Sequence, residues 1–479
     1  MNPGALSAAA IGIPWIAAIL LAATRRSPRI AGFAAALFSA IVSALLLAAA
    51  PSGQTLSKAL MLLYSCLTVA ATLMLPRRDC TSGTIGGILF LLGATMLAYS
   101  TDDLRILLAA WIATTVPFLR EQWFGAPSWR PSLGLLLSSA SLFAAVGFIG
   151  AAGNPMSISA LHHASPGGMA VFGFLVLAVV LRKGICPAHA WVADAAEGGS
   201  VIPTALLLNG HFGAMLVARV ILPLFPNTAR DLFPLFSWLA LATALYVAIR
   251  ALTENSPRRL LAYIALSQSA CILAGLESQT IEGVSGALVH WVVVAVSTMG
   301  LFGIVRLLEV RFGENLTASR HLGLVQHAPR LAAFFILFSL ALVGLPGTLG
   351  FCSQDLLVHG TLATHPQTGL LLPIATALNA VSIFRLFVRL FLGQRKTGFT
   401  VMADALPRER WILTMGVLFV VLGGLFPNVI VAKRAAEATA VAEALQDHSG
   451  AGVLDASADS HTQPVPGTSA PVLPALYKK

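Results

Sequence analysis

Arg182 and Lys183 stand side by side at the end of an apolar run, in FGFLVLAVVLRKGICPAHAWVADAAEGGSVIPTALLLNGHFGAMLVAR over residues 172–219. Pro187 and His189 follow closely, Gly198 and Gly199 make a turn, and the next apolar run carries His211. Proline removes a backbone donor and clashes with the turn before it, so a helix is expected to break at Pro187, where the charges sit. Charge beside broken backbone at membrane depth is costly, and persists where it lines a cavity or meets a partner. Such residues can move ions or protons. Lysine can give up and regain a proton, whereas arginine stays charged, which makes Lys183 the candidate relay and Arg182 its electrostatic neighbour. The competing reading is snorkelling, with two long side chains reaching from a helix end to the headgroups. The length of the segment and the nearby Pro187 favour the interior.

His211 and His290 each lie within an apolar run. An imidazole titrates near neutrality and can pass a proton between its two nitrogens, or it can serve as hydrogen-bonded packing. His189, just past Pro187, is placed to orient the broken helix. A second interruption, GLPGTLGFCSQD over residues 344–355, brings Gln354 and Asp355 next to glycine and proline. Asp355 there requires a partner or exposed backbone donors. The candidate ion path is therefore Lys183, Arg182, His211, His290, Asp355, His189 and Gln354. His162, His163, His321 and His327 fall in loops and read as solvated. Asp102 and Asp103, at the end of a span, read as a helix cap or as facing water. Ser256 and Pro257 read as the N-cap and first position of a helix, with Ser267 and Gln268 as helix–helix hydrogen-bonding groups further along.

These residues need a membrane scaffold. Of 479 residues, 57% are hydrophobic and only 10% charged, against about 25% charged in soluble domains. The net charge of +10 reads as loop cations that fix topology, not as a nucleic-acid surface. The five cysteines form no metal-binding pattern. No metal cluster, nucleophile–base pair or cofactor loop appears in the sequence, so neither a cofactor nor a catalytic site of its own is expected.

Apolar runs begin near Ala5, Ile30, Leu60, Thr84, Leu104, Ser132, Gly168, Ser200, Leu232, Leu260, Val284, Leu331, Gly369 and Trp411. The fold class is thus an all-α polytopic membrane protein of about fourteen transmembrane helices. The first run, residues 5–23, lacks a basic leader and reads as a retained span. Alternate connections hold Arg25, Arg26 and Arg29; Arg77 and Arg78; Arg120 and Arg130; Arg258 and Arg259; Arg311 and Arg320; Arg395, Lys396, Arg408 and Arg410. The opposite side carries little beyond Lys58, Arg105, Arg230, Lys433 and Arg434. The positive-inside rule places the rich side in the cytoplasm and both termini outside, in the inner (plasma) membrane.

Two Pro/Gly interruptions in corresponding halves point to an inverted repeat. The expected division is 1–83, a three-helix segment; 84–222 and 223–393, the two repeats; 394–432, a final span with its loop; and 433–479, a short amphipathic helix and disordered tail.

Several motifs together resemble a known family. Arg182-Lys183 through PAHAWVADA, RRLLAYIALSQS from Arg258, GALVH at Gly286–His290 and GLPGTLGFCSQD are similar to the Mrp-antiporter-like, proton-conducting subunits of respiratory complex I and related complexes. The resemblance implies two inverted five-helix repeats, each with a broken helix, and a central hydrated row of lysines, histidines and a glutamate. The departures are specific. Ile112 follows Trp111 where the family has glutamate, Thr298 and Val294 stand at a lysine and a histidine position, and Gln354 replaces the lysine before Asp355. An ungapped match sets Arg182, not Lys183, on the family lysine of the first break. The histidine of the next helix falls near Leu207, with His211 one turn beyond.

The function implied is a proton (or Na+) translocating, antiporter-like subunit that couples ion flow to a partner. The loosened charge row resembles the membrane subunit of the two-component DAB-type inorganic carbon accumulation complex. That would imply CO2 or bicarbonate uptake with a zinc-containing, carbonic-anhydrase-like cytoplasmic partner. The alternatives are an antiporter-like subunit of an NADH:quinone oxidoreductase or membrane hydrogenase, among other membrane subunits, and an inactive membrane anchor for a soluble enzyme.

Overall fold

The computed structural model describes residues 3–23, 28–51, 55–119, 129–161, 168–313, 316–394, 404–428, 430–431 and 439. Arg25, Arg26, Arg120, His162, His163, Arg395, Lys396, Lys433, Arg434 and the expected tail helix and tail (Thr439 apart) lie outside the described residues. Among the described residues, ten helices are long and apolar enough to cross a membrane. Four more spans bring the total to fourteen, in the order the apolar runs predict.

The leading helices are α1 (Pro3–Ala23), α2 (Pro28–Ala48) and α3 (Leu56–Met74). Next come α4 (Ser82–Ser100), α5 (Leu104–Thr115), α6 (Trp129–Ala151), the half helices α7a (Gly168–Lys183) and α7b (Ala190–Gly198), then α8a (Val201–Asn209) and α8b (Phe212–Leu216). The second set is α9 (Pro226–Thr253), α10 (Pro257–Glu277), α11 (Ile281–Phe312), the half helices α12a (Pro329–Leu342) and α12b (Leu349–Thr364), and α13 (Pro366–Phe391). A last helix, α14, spans Pro407–Leu425. Each set of five spans breaks in its fourth member. Successive spans alternate direction, so an odd number per set inverts the second relative to the first.

Three spans form the axis. Burial reaches 100% along α10, 94% along α11 and 89% along Val201–Leu224, against 22% for α1. A helix buried on all sides has no apolar stripe to single out. The periphery instead presents large hydrophobics such as Ile16, Phe143, Leu235 and Trp411 to the surroundings. Close crossings use glycine. A Cβ at Gly360 of α12b would lie 2.1 Å from the Gly283 nitrogen of α11, and one at Gly286 would lie 2.6 Å from the Leu357 nitrogen. Small residues there let the two backbones touch, which sets the depth of His290 four residues beyond Gly286.

The first break differs from expectation in its cause. Pro187 is exposed and stands four residues beyond the last helical residue. The helix stops at Gly184, whose φ is +70°. The Ile185 N–H donates to Val180 O at 2.9 Å and the Gly184 N–H to Leu181 O at 3.3 Å. This is a Schellman stop, which needs a left-handed residue that glycine adopts without strain. The second break repeats it: Gly344 has φ +77°, Leu345 N–H donates to Leu340 O at 2.9 Å, and Gly344 N–H to Ala341 O at 3.3 Å. Matching the two stops pairs Lys183 with Val343 and Arg182 with Leu342. Only the first break carries charge.

A third interruption, in the eighth span, has no proline or glycine pair to announce it. His211 adopts φ +42°, ψ +40°, and a π-helical stretch follows at Val217–Ile221. Backbone groups released at membrane depth must be satisfied within the protein. Tyr64 Oη donates to Leu206 O at 3.1 Å, and Tyr99 Oη donates to Gly210 O. At the loop ends, Asp103 caps α5, accepting from the Arg105 N–H at 2.8 Å. The Arg105 guanidinium beside it holds that carboxyl down at about 2. Asp102 accepts from Ser157 and Ser159.

Candidate ion path

Both cations at the end of α7a turn into the bundle, each with a side chain that barely reaches the surface. Lys183 Nζ lies 2.8 Å from His211 Nδ1, and Ser269 Oγ of α10 approaches the same nitrogen at 3.3 Å. Glycine makes the space: a Cβ on Gly213 would come within 2.3 Å of Lys183 Cγ and 2.9 Å of Cδ. Gly213→Ala is expected to cost about 1–3 kcal/mol by overpacking. It should also push the ammonium off His211, read as a lower thermal-unfolding midpoint and lower proton flux in vesicles. Unchanged flux would show that the Lys183–His211 contact is dispensable.

Arg182 faces the other way. Its guanidinium carbon sits 5.2 Å from the ring centres of both Trp111 and Phe212, and Nη2 donates to Thr114 Oγ1 at 2.5 Å. Two aromatic faces are a favourable seat for a desolvated cation. Among the described residues no carboxylate pairs with it. A cavity of about 30 Å³ lies between these groups, lined by Arg182, Lys183, Asn209, His211 and Ser269 among others. That volume has room for about two waters. Arg182 Nη1, His211 Nε2 and Asn209 Nδ2 are buried without a protein partner.

A second polar group adjoins the first. His290 Nε2 lies 2.9 Å from Gln268 Oε1, and Nδ1 lies 3.0 Å from Ser353 Oγ of α12b. Gln268 and Ser269 are consecutive, as are His290 and Trp291, whose ring meets the edge of His211 at 5.5 Å. Ser267 continues the line to Asn379 of α13, which donates to it at 2.8 Å. A polar thread therefore runs from Thr114 in the first set of spans to Asn379 in the second. In chemical terms it can bind and pass protons. Among the described residues no three metal-ligating side chains converge.

At one end of the bundle the odd-numbered connections gather around a polar cleft of about 590 Å³. Arg306 bonds Asp79 through Nε at 2.7 Å and Nη2 at 2.8 Å, and Glu309 through Nη1 at 3.1 Å. Arg258 grips the same Glu309 at 2.7 and 2.6 Å. Ser256 caps α10, accepting from the Arg259 N–H at 3.5 Å.

Known proteins place this architecture. Residues 131–379 match the family model described as NADH:quinone oxidoreductase/Mrp antiporter, TM. That covers more than half of the chain. The chain belongs to this family. NADH-quinone oxidoreductase subunit N 3 of Streptomyces griseus is 30% identical over 264 residues, covering 53% of this chain and 47% of the relative. Subunit M of Rickettsia prowazekii is 28% identical over 262 residues, 53% of this chain and 52% of the relative. The chain spans about half the length of the curated relatives it matches. In the solved structures, a chain of respiratory complex I from Thermus thermophilus with bound NADH aligns with a TM-score of 0.83 at 25% identity, covering 92% of this chain and 99% of that one. A chain of the Mrp complex from Dietzia sp. DQ12-45-1b has the same fold, with a TM-score of 0.79 at 17% identity and coverage of 93% and 100%.

Within this family fold, the departures in the sequence acquire positions. Ile112 is exposed on the outer side of α5, while Thr114 holds Arg182. Thr298 Oγ1 points at Asn209 Oδ1, 2.8 Å away, so a neutral contact ties α11 to the broken eighth span. Arg182, Lys183 and His211 share one cavity and His290 adjoins it. The other three candidates stand apart. His189 lies against Tyr246 of α9, 4.9 Å between rings, with Nδ1 3.4 Å from Cys186 Sγ. Gln354 Nε2 donates to Leu342 O at 3.3 Å and so clamps the second break. Asp355 is exposed on α12b, 3.5 Å from His359. Sequence reasoning missed Asn209 and Thr114 as site groups. Asn209, polar in an apolar run and next to Gly210-His211, was findable; Thr114 gave no signal.

Proposed function

We propose that this chain is a proton-translocating, antiporter-like subunit of a larger membrane complex, with no catalytic site of its own. The observation that carries this reading is the buried Lys183–His211 contact beside a water-sized polar cavity. At 2.8 Å, one proton lies between Nζ and Nδ1 whichever partner holds it. Its movement leaves either ammonium and neutral imidazole or neutral amine and imidazolium. Arg182 supplies a fixed positive charge that disfavours both groups being charged together. The path would be Lys183, His211 and His290, with Gln268, Ser269 and Ser353 as hydrogen-bonding steps; His189 and Gln354 sit at the two breaks and Asp355 faces outward, apart from this path.

The arginine-rich face, with its cleft, is taken as cytoplasmic and both termini as external, in the inner (plasma) membrane. Partners are other membrane subunits or a cytoplasmic protein docked over that face. The relatives' names favour an NADH:quinone oxidoreductase-type assembly. The thinned charge row, with Ile112, Thr298 and Gln354, favours energy-coupled inorganic carbon uptake with a zinc-containing, carbonic-anhydrase-like partner. Purifying the full chain from its native membrane separates the two. Flavin or iron–sulfur subunits are expected in the first case and a zinc protein in the second. Recovery of a soluble enzyme whose activity ignores uncouplers would overturn translocation and leave a membrane anchor.

A further inference from the structure

One buried acid takes no part in the thread described above. Glu277 ends α10 with 6% of its surface exposed, and its Oε2 has no hydrogen-bond partner. Among the described residues it forms no ion pair. It lines a second cavity, of about 20 Å³, walled by Val176 and Val179 of α7a, Val217 and Ile221 of the π-helical stretch, and Phe236 of α9. The other groups facing this cavity are hydrocarbon. Arg219, the charged member of the π-helical stretch, points away to the end of α4, where it donates to Tyr99 O at 2.7 Å and Thr101 O at 2.9 Å.

The walls decide the resting state of this side chain. An unpaired carboxylate against hydrocarbon is strongly disfavoured, so the neutral acid is the form the site accommodates. Its position relates it to the thread. Glu277 lies eight residues beyond Ser269 on α10, about 12 Å along the axis, on the side away from Arg258 and Arg259. The opposite wall of the cavity is the π-helical stretch that continues directly from α8b, the turn begun by His211. A cavity of this size has room for about one water. A protonated acid, a water-sized space and a helix leading back to His211 thus lie in sequence.

We propose that Glu277 is the proton-release site at the end of the conduit, opposite the Arg258–Arg259 face. The proposal rests on reading Lys183–His211 as the proton path. In the step itself, the carboxylic O–H breaks and the proton passes to water on the outer side of α10. A proton arriving through the cavity from the His211 side then re-forms the O–H bond, so charge balances over each cycle.

The test uses the full chain in its native complex, reconstituted in liposomes with an internal pH dye and driven by an imposed membrane potential. Glu277→Gln, near-isosteric and without a charge to bury, is expected to lower proton flux about a hundredfold. It should also remove the protonated-carboxyl C=O band from the infrared difference spectrum. Glu277→Asp is expected to keep a shifted band and part of the flux. Wild-type flux in Glu277→Gln with flux lost in Lys183→Ala would overturn the role of Glu277 alone. Wild-type flux in both would overturn the conduit as well. Lost flux with the infrared band unchanged would reduce Glu277 to a packing residue.

Discussion

Lys183→Ala is expected to lower partner-dependent proton flux by about a hundredfold or more, because it removes the group proposed to exchange a proton with His211. The complex should still assemble, since the substitution also removes a buried charge that has no carboxylate partner among the described residues. Lys183→Arg makes the sharper comparison. It keeps the positive charge, yet the guanidinium does not give up its proton, and Gly213 leaves space shaped for a lysine stem. Flux is therefore expected to fall in this variant too. If arginine sustained wild-type flux, Lys183 would act only as a fixed charge, and proton exchange with His211 would drop out of the mechanism. Flux in proteoliposomes, normalised to complex recovered, is the measurement.

The second large effect is on stability. Glu309 is buried and accepts three charge-assisted bonds, two from Arg258 and one from Arg306, and removing it leaves two guanidiniums short of an acceptor. Asp79 still holds Arg306, but the other hydrogen bonds of Arg258 go to the backbone carbonyls of Glu197 and Gly199. Breaking a buried charge cluster by deleting one partner costs about 3–5 kcal/mol. Glu309→Ala should accordingly lower the thermal-unfolding midpoint in detergent. A double-mutant cycle with Arg258→Ala separates the pair's coupling from the loss of either residue. A change below about 1 kcal/mol would mean that the cluster behaves as an exposed one.

The spans were legible because each is a long apolar run bounded by charge, a signal that survives without any periodicity. The breaks were legible from glycine and proline, although their cause was not. Proline draws the eye to residue 187, whereas the backbone stops three residues earlier at Gly184. The third interruption escaped because His211 is an unusual residue to carry a left-handed conformation and the π-helical offset has no compositional mark. The site was legible where a polar group stood within an apolar run, as with Lys183, His211 and His290. It was less so for Asp355 and Gln354, since nearness to a break does not reveal which way a side chain points. Asp355 turns outward, and Gln354 satisfies a carbonyl. Glu277 was hidden by standing where an apolar run ends, in the place where a solvated loop residue is ordinarily found.

The Schellman stop at Gly184 has an electrostatic consequence. The aligned peptide units of α7a sum to a partial negative charge at its C-terminus, and Arg182 and Lys183 occupy its last turn. A macrodipole favours cations there by about 0.3–1 kcal/mol at exposed sites and up to about 2 kcal/mol in partly buried ones. The resemblance implies an acid after Trp111 where this chain has isoleucine, and the severed end of the helix itself sets negative partial charge beside Arg182 and Lys183.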